Sequence, residues 1–200
     1  MSLFLALSFS MAYVQSPSPA DTIPFRRGQW ALQFTAGSTF GSLGALRFAS
    51  PRKAWLLDLR VDGGHSHDHV TIPTGPTTDT TLDRFDSWAN ATLRVGPRYY
   101  TARGTRLVSF AGVGVIGGFT HYADGEEGGS AWERNGWTAG VFGDLGATYL
   151  VSPRLGLGGT ATLSAAYSRW TSRGSGGARS RRWNYRITGP ALSLVATLYF

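Results

Sequence analysis

The stretch YRITGPALSLVATLYF, residues 185–200, decides how the rest of the chain is read. Counting back from Phe200 in steps of two gives Leu198, Ala196, Leu194, Leu192 and Pro190; the set between them is Tyr199, Thr197, Val195, Ser193, Ala191 and Gly189. A strand sends successive side chains to opposite faces. One face here is therefore continuously apolar, the other is small and mixed, and the stretch closes on an aromatic. If it is one strand of a closed sheet, the remaining strands must repeat the pattern at matched lengths.

Seven further runs do so. In 29–40, Trp30, Leu32, Phe34 and Ala36 alternate with Gln29, Gln33 and Thr35; in 43–49, Leu46 and Phe48 oppose Arg47. The run 54–62 is the clearest, with Trp55, Leu57, Leu59 and Val61 against Leu56, Asp58, Arg60 and Asp62. In 87–100, Ala89, Ala91, Leu93, Val95 and Tyr99 oppose Asn90, Thr92, Arg94 and Arg98. The glycine-rich run 106–123 is read with Leu107, Ala111, Val113, Val115 and Phe119 outward. Runs 136–151 and 155–170 set Trp137, Ala139, Val141, Leu145 and Tyr149, then Leu157, Ala161, Leu163, Ala165 and Tyr167, against Thr138, Asp144, Thr148, Thr160, Thr162, Ser164 and Ser168. Odd-numbered connections are long or glycine-rich and polar, chiefly 63–86, 124–135 and 171–184. Even-numbered ones are tight turns, two of them carrying the triplet Ser-Pro-Arg at 50–52 and 152–154.

Composition narrows the class. Two hundred residues suit one domain, no stretch matches the run of about 20 apolar residues a membrane helix needs, and there is no cysteine. The net charge of +7 rests almost wholly on arginine, since Lys53 is the single lysine. Those arginines are scattered along alternating strands with no helix-turn-helix or zinc pattern, which argues against a nucleic-acid partner. Residues 1–20 read as a secretory signal, with an apolar run at 3–12 and small residues at Ser18 and Ala20, although basic residues before that run are missing. Residues 21–28 are then a periplasmic segment, and 29–200 the barrel.

The alternation, the eight runs, the alternately long and short connections and the terminal Phe200 together resemble the small eight-stranded bacterial outer-membrane β-barrels of the OmpA/OmpX type. The expected fold is all-β, an antiparallel up-and-down transmembrane barrel with long loops outside and short periplasmic turns. A soluble lipocalin-like barrel would show the same alternation. The aromatics Trp30, Trp55, Tyr99, Trp137, Tyr149, Tyr167, Trp170 and Phe200 lie near run ends, as interfacial girdles do, and favour the membrane. The resemblance implies a monomer in the outer membrane of a Gram-negative-type bacterium. It implies lipid and lipopolysaccharide around the barrel, and recognition of the C-terminal strand by the barrel-assembly machinery.

Four places are candidates for chemistry. Eight strands leave an interior that side chains can fill, so Arg47, Asp58, Arg60, Asp62, Arg94, Arg98 and Asp144 are expected to form a lumen ion-pair network. Three of the four histidines lie in His65-Ser66-His67-Asp68-His69. His65, His67 and His69 are candidate metal ligands, set against a solvated loop, which is the expectation; no cofactor is expected. Arg169, Arg173, Arg179, Arg181, Arg182 and Arg186, interleaved with Trp170 and Trp183, suit lipopolysaccharide or another polyanion. His121-Tyr122-Ala123 is similar to the His-x-Ser of a lipid A deacylase, but Ala123 stands where the serine is needed, and Ser130, Glu126 or Glu127 would have to substitute. The expected function is a structural or adhesive barrel acting through its outer loops and is not enzymatic; the alternatives are a narrow solute or ion channel and, third, a lipid A-modifying enzyme.

Overall fold

The eight runs become eight antiparallel strands joined in chain order, with the last pairing back onto the first. In the computed structural model, which describes residues 24–37, 41–73, 79–103, 106–126, 131–174 and 177–200, they are β1 (Trp30–Gly37), β2 (Gly41–Ser50), β3 (Lys53–Pro73), β4 (Asp79–Ala102), β5 (Leu107–Glu126), β6 (Ala131–Ser152), β7 (Leu155–Gly174) and β8 (Arg179–Tyr199). The sheet is a closed up-and-down barrel. Its seam is β1 against β8, from Ala31 opposite Tyr199 to Gly37 opposite Ser193. Backbone bonds from Phe200 N to Trp30 O (3.0 Å) and from Trp30 N to Phe200 O (3.2 Å) finish it. The 1–20 segment lies outside the described residues.

Closure follows from the alternation. Inside are Ala31, Leu46, Phe48, Ala54, Leu56, Tyr100, Val108, Phe110, Phe142 and Leu150, all buried; outside are Leu57, Leu59, Val61, Val113, Val115, Val141, Leu145 and Leu163, between 47% and 68% exposed. So much exposed aliphatic surface is untenable in water and is what a bilayer requires. Girdle residues bracket it: on β6, Trp137 and Tyr149 are 45% and 48% exposed, with Val141 and Leu145 between them. Twelve residues at ~3.3 Å each, tilted near 40°, span about 30 Å, enough for the apolar band and its interfaces.

Strand length is where the structure departs from expectation. β1 and β2 have 8 and 10 residues, whereas β3 to β8 have 20 to 24. The long loops expected at 63–86, 124–135 and 171–184 are mostly strand. β3 and β4 stay paired out to Pro73 opposite Asp79, β5 and β6 to Gly125 opposite Ala131, and β7 and β8 to Arg173 opposite Arg179. The reason is chemical: beyond the apolar band both faces of a strand are polar, so the period of two loses its contrast while the backbone pairing continues. Among the described residues, β3 beyond Leu59 and β8 before Ser193 have no partner on the β1–β2 side. Six strands thus project as an open, curved sheet above a closed barrel.

Candidate functional site

The lumen is closed at two levels. At the end holding Phe200, the segment before β1 turns inward and puts Phe25 inside the barrel. Its ring lies 4.5 Å from Phe48, 5.0 Å from Tyr199 and 5.2 Å from Tyr100, centroid to centroid, and Tyr100 lies 5.7 Å from Phe110. Gly28, at φ +84°, makes the turn that lets its N–H reach Phe48 O at 2.7 Å. Residues 24–28 are therefore part of the barrel's packing as well as a lead-in to it.

Above the aromatics is a polar layer. Arg98 donates from Nη2 to Asp144 Oδ2 and from Nη1 to Gln33 Oε1, each at 2.6 Å, with its guanidinium 4.2 Å above the Phe110 ring. The pair spans three strands: Arg98 and Asp144 both stand opposite Gly112 of β5 and meet across it. Arg94 donates from Nε (2.8 Å) and Nη2 (2.6 Å) to Asp58 Oδ2, while Ser42 Oγ donates to Asp58 Oδ1 at 2.8 Å. Asp58, Arg98 and Asp144 are 1–2% exposed. Charges so deeply buried are tolerable only because each has partners. Higher still, Arg60 Nε meets Asp62 Oδ1 at 3.1 Å and Asn90 Nδ2 donates to Asp62 Oδ2 at 3.2 Å.

Two expectations are corrected here. Arg47 is not in the lumen: Leu46 and Phe48 take the inward positions of β2, and Arg47 points outward with its guanidinium 5.4 Å from the Trp30 ring. An arginine beside the girdle keeps its charge in the interface and its stem on the apolar wall. Trp170 is not part of the outer girdle either. It lies on the inner face of β7 over Gly136, where a Cβ would come within 2.5 Å of its ring. Trp30, Trp55, Tyr99, Trp137, Tyr149 and Phe200 do face outward, 45–68% exposed. So do Phe119, Trp183 and Tyr185, outside the expected girdle set. The alternation of β1 puts Gln33 inward, but nothing local says that Arg98 reaches it.

On the projecting sheet the six arginines divide. A shift between Thr162 and Ser164 in the β7–β8 register reverses the facing of β8 below Gly189. Arg169, Arg173, Arg179 and Arg181 share the outer face with Trp183 and Tyr185, while Arg182 and Arg186 share the inner face with Trp170 and Asn184. Arg173 stands directly opposite Arg179, and neither has a salt-bridge partner among the described residues. His65, His67 and His69 lie on strand β3, not in a loop. His121 Nδ1 is 2.8 Å from Asn135 Oδ1 and 3.8 Å from Glu133 Oε1, with no hydroxyl partner among the described residues. Ser130 and Glu127, and the side chain of Glu126, are outside what is described.

No protein-family model and no curated protein matches the chain. Among solved structures it is similar to a major outer membrane protein of Thermus thermophilus, at 15% identity and a TM-score of 0.55, covering 86% of this chain and 98% of that one. It is likewise similar to the outer membrane protein OprG of Pseudomonas aeruginosa, at 11% identity and a TM-score of 0.56, covering 90% and 99%. At such identities it is the fold that is shared. A closed eight-stranded barrel with an apolar, aromatic-girdled exterior is an outer-membrane architecture. The chain has the fold of the small eight-stranded outer-membrane β-barrels, and the outer membrane is its location.

Proposed function

We propose that the barrel is a non-conducting anchor and that the projecting sheet is its working surface. One observation carries this reading: the lumen is filled twice over, by the Phe25–Phe48–Tyr100–Tyr199 aromatics and by the Arg98–Asp144–Gln33 layer. A solute path would need both to move. The sheet instead offers broad polar faces and, among the described residues, two unpaired edges, suited to contact with a partner outside the cell. The test is single-channel recording of the refolded barrel in a planar bilayer, with folding verified by heat-modifiable gel mobility. A silent bilayer is expected; discrete openings from folded protein would overturn the reading in favour of a channel.

A second observation favours an anionic partner for the outer face. Like charges directly opposite on neighbouring strands are destabilising, yet Arg173 faces Arg179 and the adjacent rows add Arg169 and Arg181. Phosphates bridging these guanidiniums would relieve the repulsion, and lipopolysaccharide beside the Trp183–Tyr185 girdle presents them. The R173A/R179A double variant should bind lipopolysaccharide micelles more weakly and with a smaller salt dependence. Unchanged binding would remove this contact.

A further inference from the structure

The alternation of β3 puts His67 and His69 on one face, and its register with β4 sets Asp83 directly opposite His69 and Phe85 opposite His67. Nδ1 of His69 meets Oδ1 of Asp83, and the two imidazole rings lie 4.8 Å apart at 34°. One ligand atom from each of His67, His69 and Asp83 falls within 4.8 Å of the others. The face is the outer one of the projecting sheet, and both histidines are exposed to solvent.

We propose that His67, His69 and Asp83 form a binding site for one divalent transition-metal ion of the Zn²⁺ class. Two imidazoles and a carboxylate are a donor set that zinc accepts at ~2.0–2.2 Å, with a fourth position left to water. Imidazole selects for zinc, copper or nickel, and against calcium or magnesium, which take oxygen donors. Tetrahedral bonds of that length put donor atoms about 3.4 Å apart. Closing from the present spacing needs only side-chain rotation: His69 and Asp83 stand directly opposite, with Cβ atoms ~4.5–5.5 Å apart, and His67 is the diagonal neighbour of Asp83 at ~7–8 Å, within an imidazole's reach. The ion would sit between His69 and Asp83, add His67, and clip β3 to β4 near the hairpin tip.

The cross-strand carboxylate separates this site from a simple histidine tract. His65 is next along the same face but stands opposite Ser87, and Asp68 points to the other face, opposite Arg84. Neither belongs to the site. The motif as a sequence suggests His65, His67 and His69 as ligands; the register replaces His65 with Asp83.

The test is calorimetric titration of the folded barrel, in a non-chelating zwitterionic detergent, with Zn²⁺ alone as probe. Wild type should bind one ion per chain. H67A, H69A and D83A should each weaken binding by about tenfold or more, the scale seen when a metal's ligand shell is disturbed, while H65A should leave it unchanged. Heat-modifiable mobility shows that each variant is folded. Folded wild type without saturable Zn²⁺ heat would overturn the proposal. So would a D83A protein binding as wild type does, since the histidines would then be acting as a chelate on their own.

Discussion

Replacing Asp144 with alanine is the sharpest perturbation the lumen allows. Asp144 accepts from Arg98 Nη2 at 2.6 Å, and Arg98 is 2% exposed, so the substitution leaves a buried guanidinium without its counter-charge. Breaking one half of a buried pair costs about 3–5 kcal/mol. Arg98 keeps its bond to Gln33 and its place over the Phe110 ring, which puts the expected loss at the lower end, about 3 kcal/mol. For a domain of this size ~1 kcal/mol shifts Tm by about 2–4 °C, so a fall of about 6–12 °C is expected. The assay is thermal loss of heat-modifiable mobility of the refolded barrel in detergent, supported by urea unfolding in liposomes. D144N keeps the shape and one acceptor oxygen, and should lie between wild type and D144A. A D144A barrel melting within 2 °C (roughly 1 kcal/mol or less) of wild type would refute the argument that the pair is buried and dry.

Three other perturbations test different parts of the structure. G114A should destabilise by about 1–3 kcal/mol in the same unfolding assay, because its Cβ would fall 2.2 Å from Val95 O, a backbone atom that cannot turn aside. F25A removes the ring at the centre of the terminal-end cluster and should lower stability by about 3 kcal/mol. It should nevertheless leave planar bilayers silent, since the Arg98–Asp144 layer still closes the lumen; openings would show that the aromatics alone close it. L145R puts a charge on the outer wall at a position 66% exposed. In liposomes it should cost about 2–4 kcal/mol if Leu145 lies at bilayer mid-depth, and a neutral result would contradict the assignment of that wall to lipid.

The barrel could be read from the chain because its signal is local. Trp55, Leu57, Leu59 and Val61 against Leu56, Asp58, Arg60 and Asp62 specify which side of β3 meets lipid, and a strand's period of two carries that assignment along its length. The same logic placed Val113 and Val115 outward on β5, where glycines blur the pattern, and there too they are exposed. The alternation carries no such information wherever contrast between the faces disappears. His65 to His69 are polar on both faces and so suggest a loop, although the backbone continues as paired strand to Pro73. The same rule puts Arg47 inside, because it opposes the apolar Leu46 and Phe48; in β2 it is that apolar pair that fills the lumen, and Arg47 faces out beside Trp30.

The amino-acid sequence by itself determined the strand number, most of the outward-facing side chains and the membrane as solvent, because burial preference alternates residue by residue and needs no partner to be seen. Tertiary structure alone decided which charges meet. Arg98 with Asp144 across Gly112, Arg98 with Gln33 on the far wall, and His69 with Asp83 rather than His65 all depend on register between strands. So does the reversal of β8 at Gly189, where one inserted residue sends Arg181 outward and Arg182 inward. Register is set by the closure of the whole sheet, and closure is a property of eight strands together that no single strand encodes.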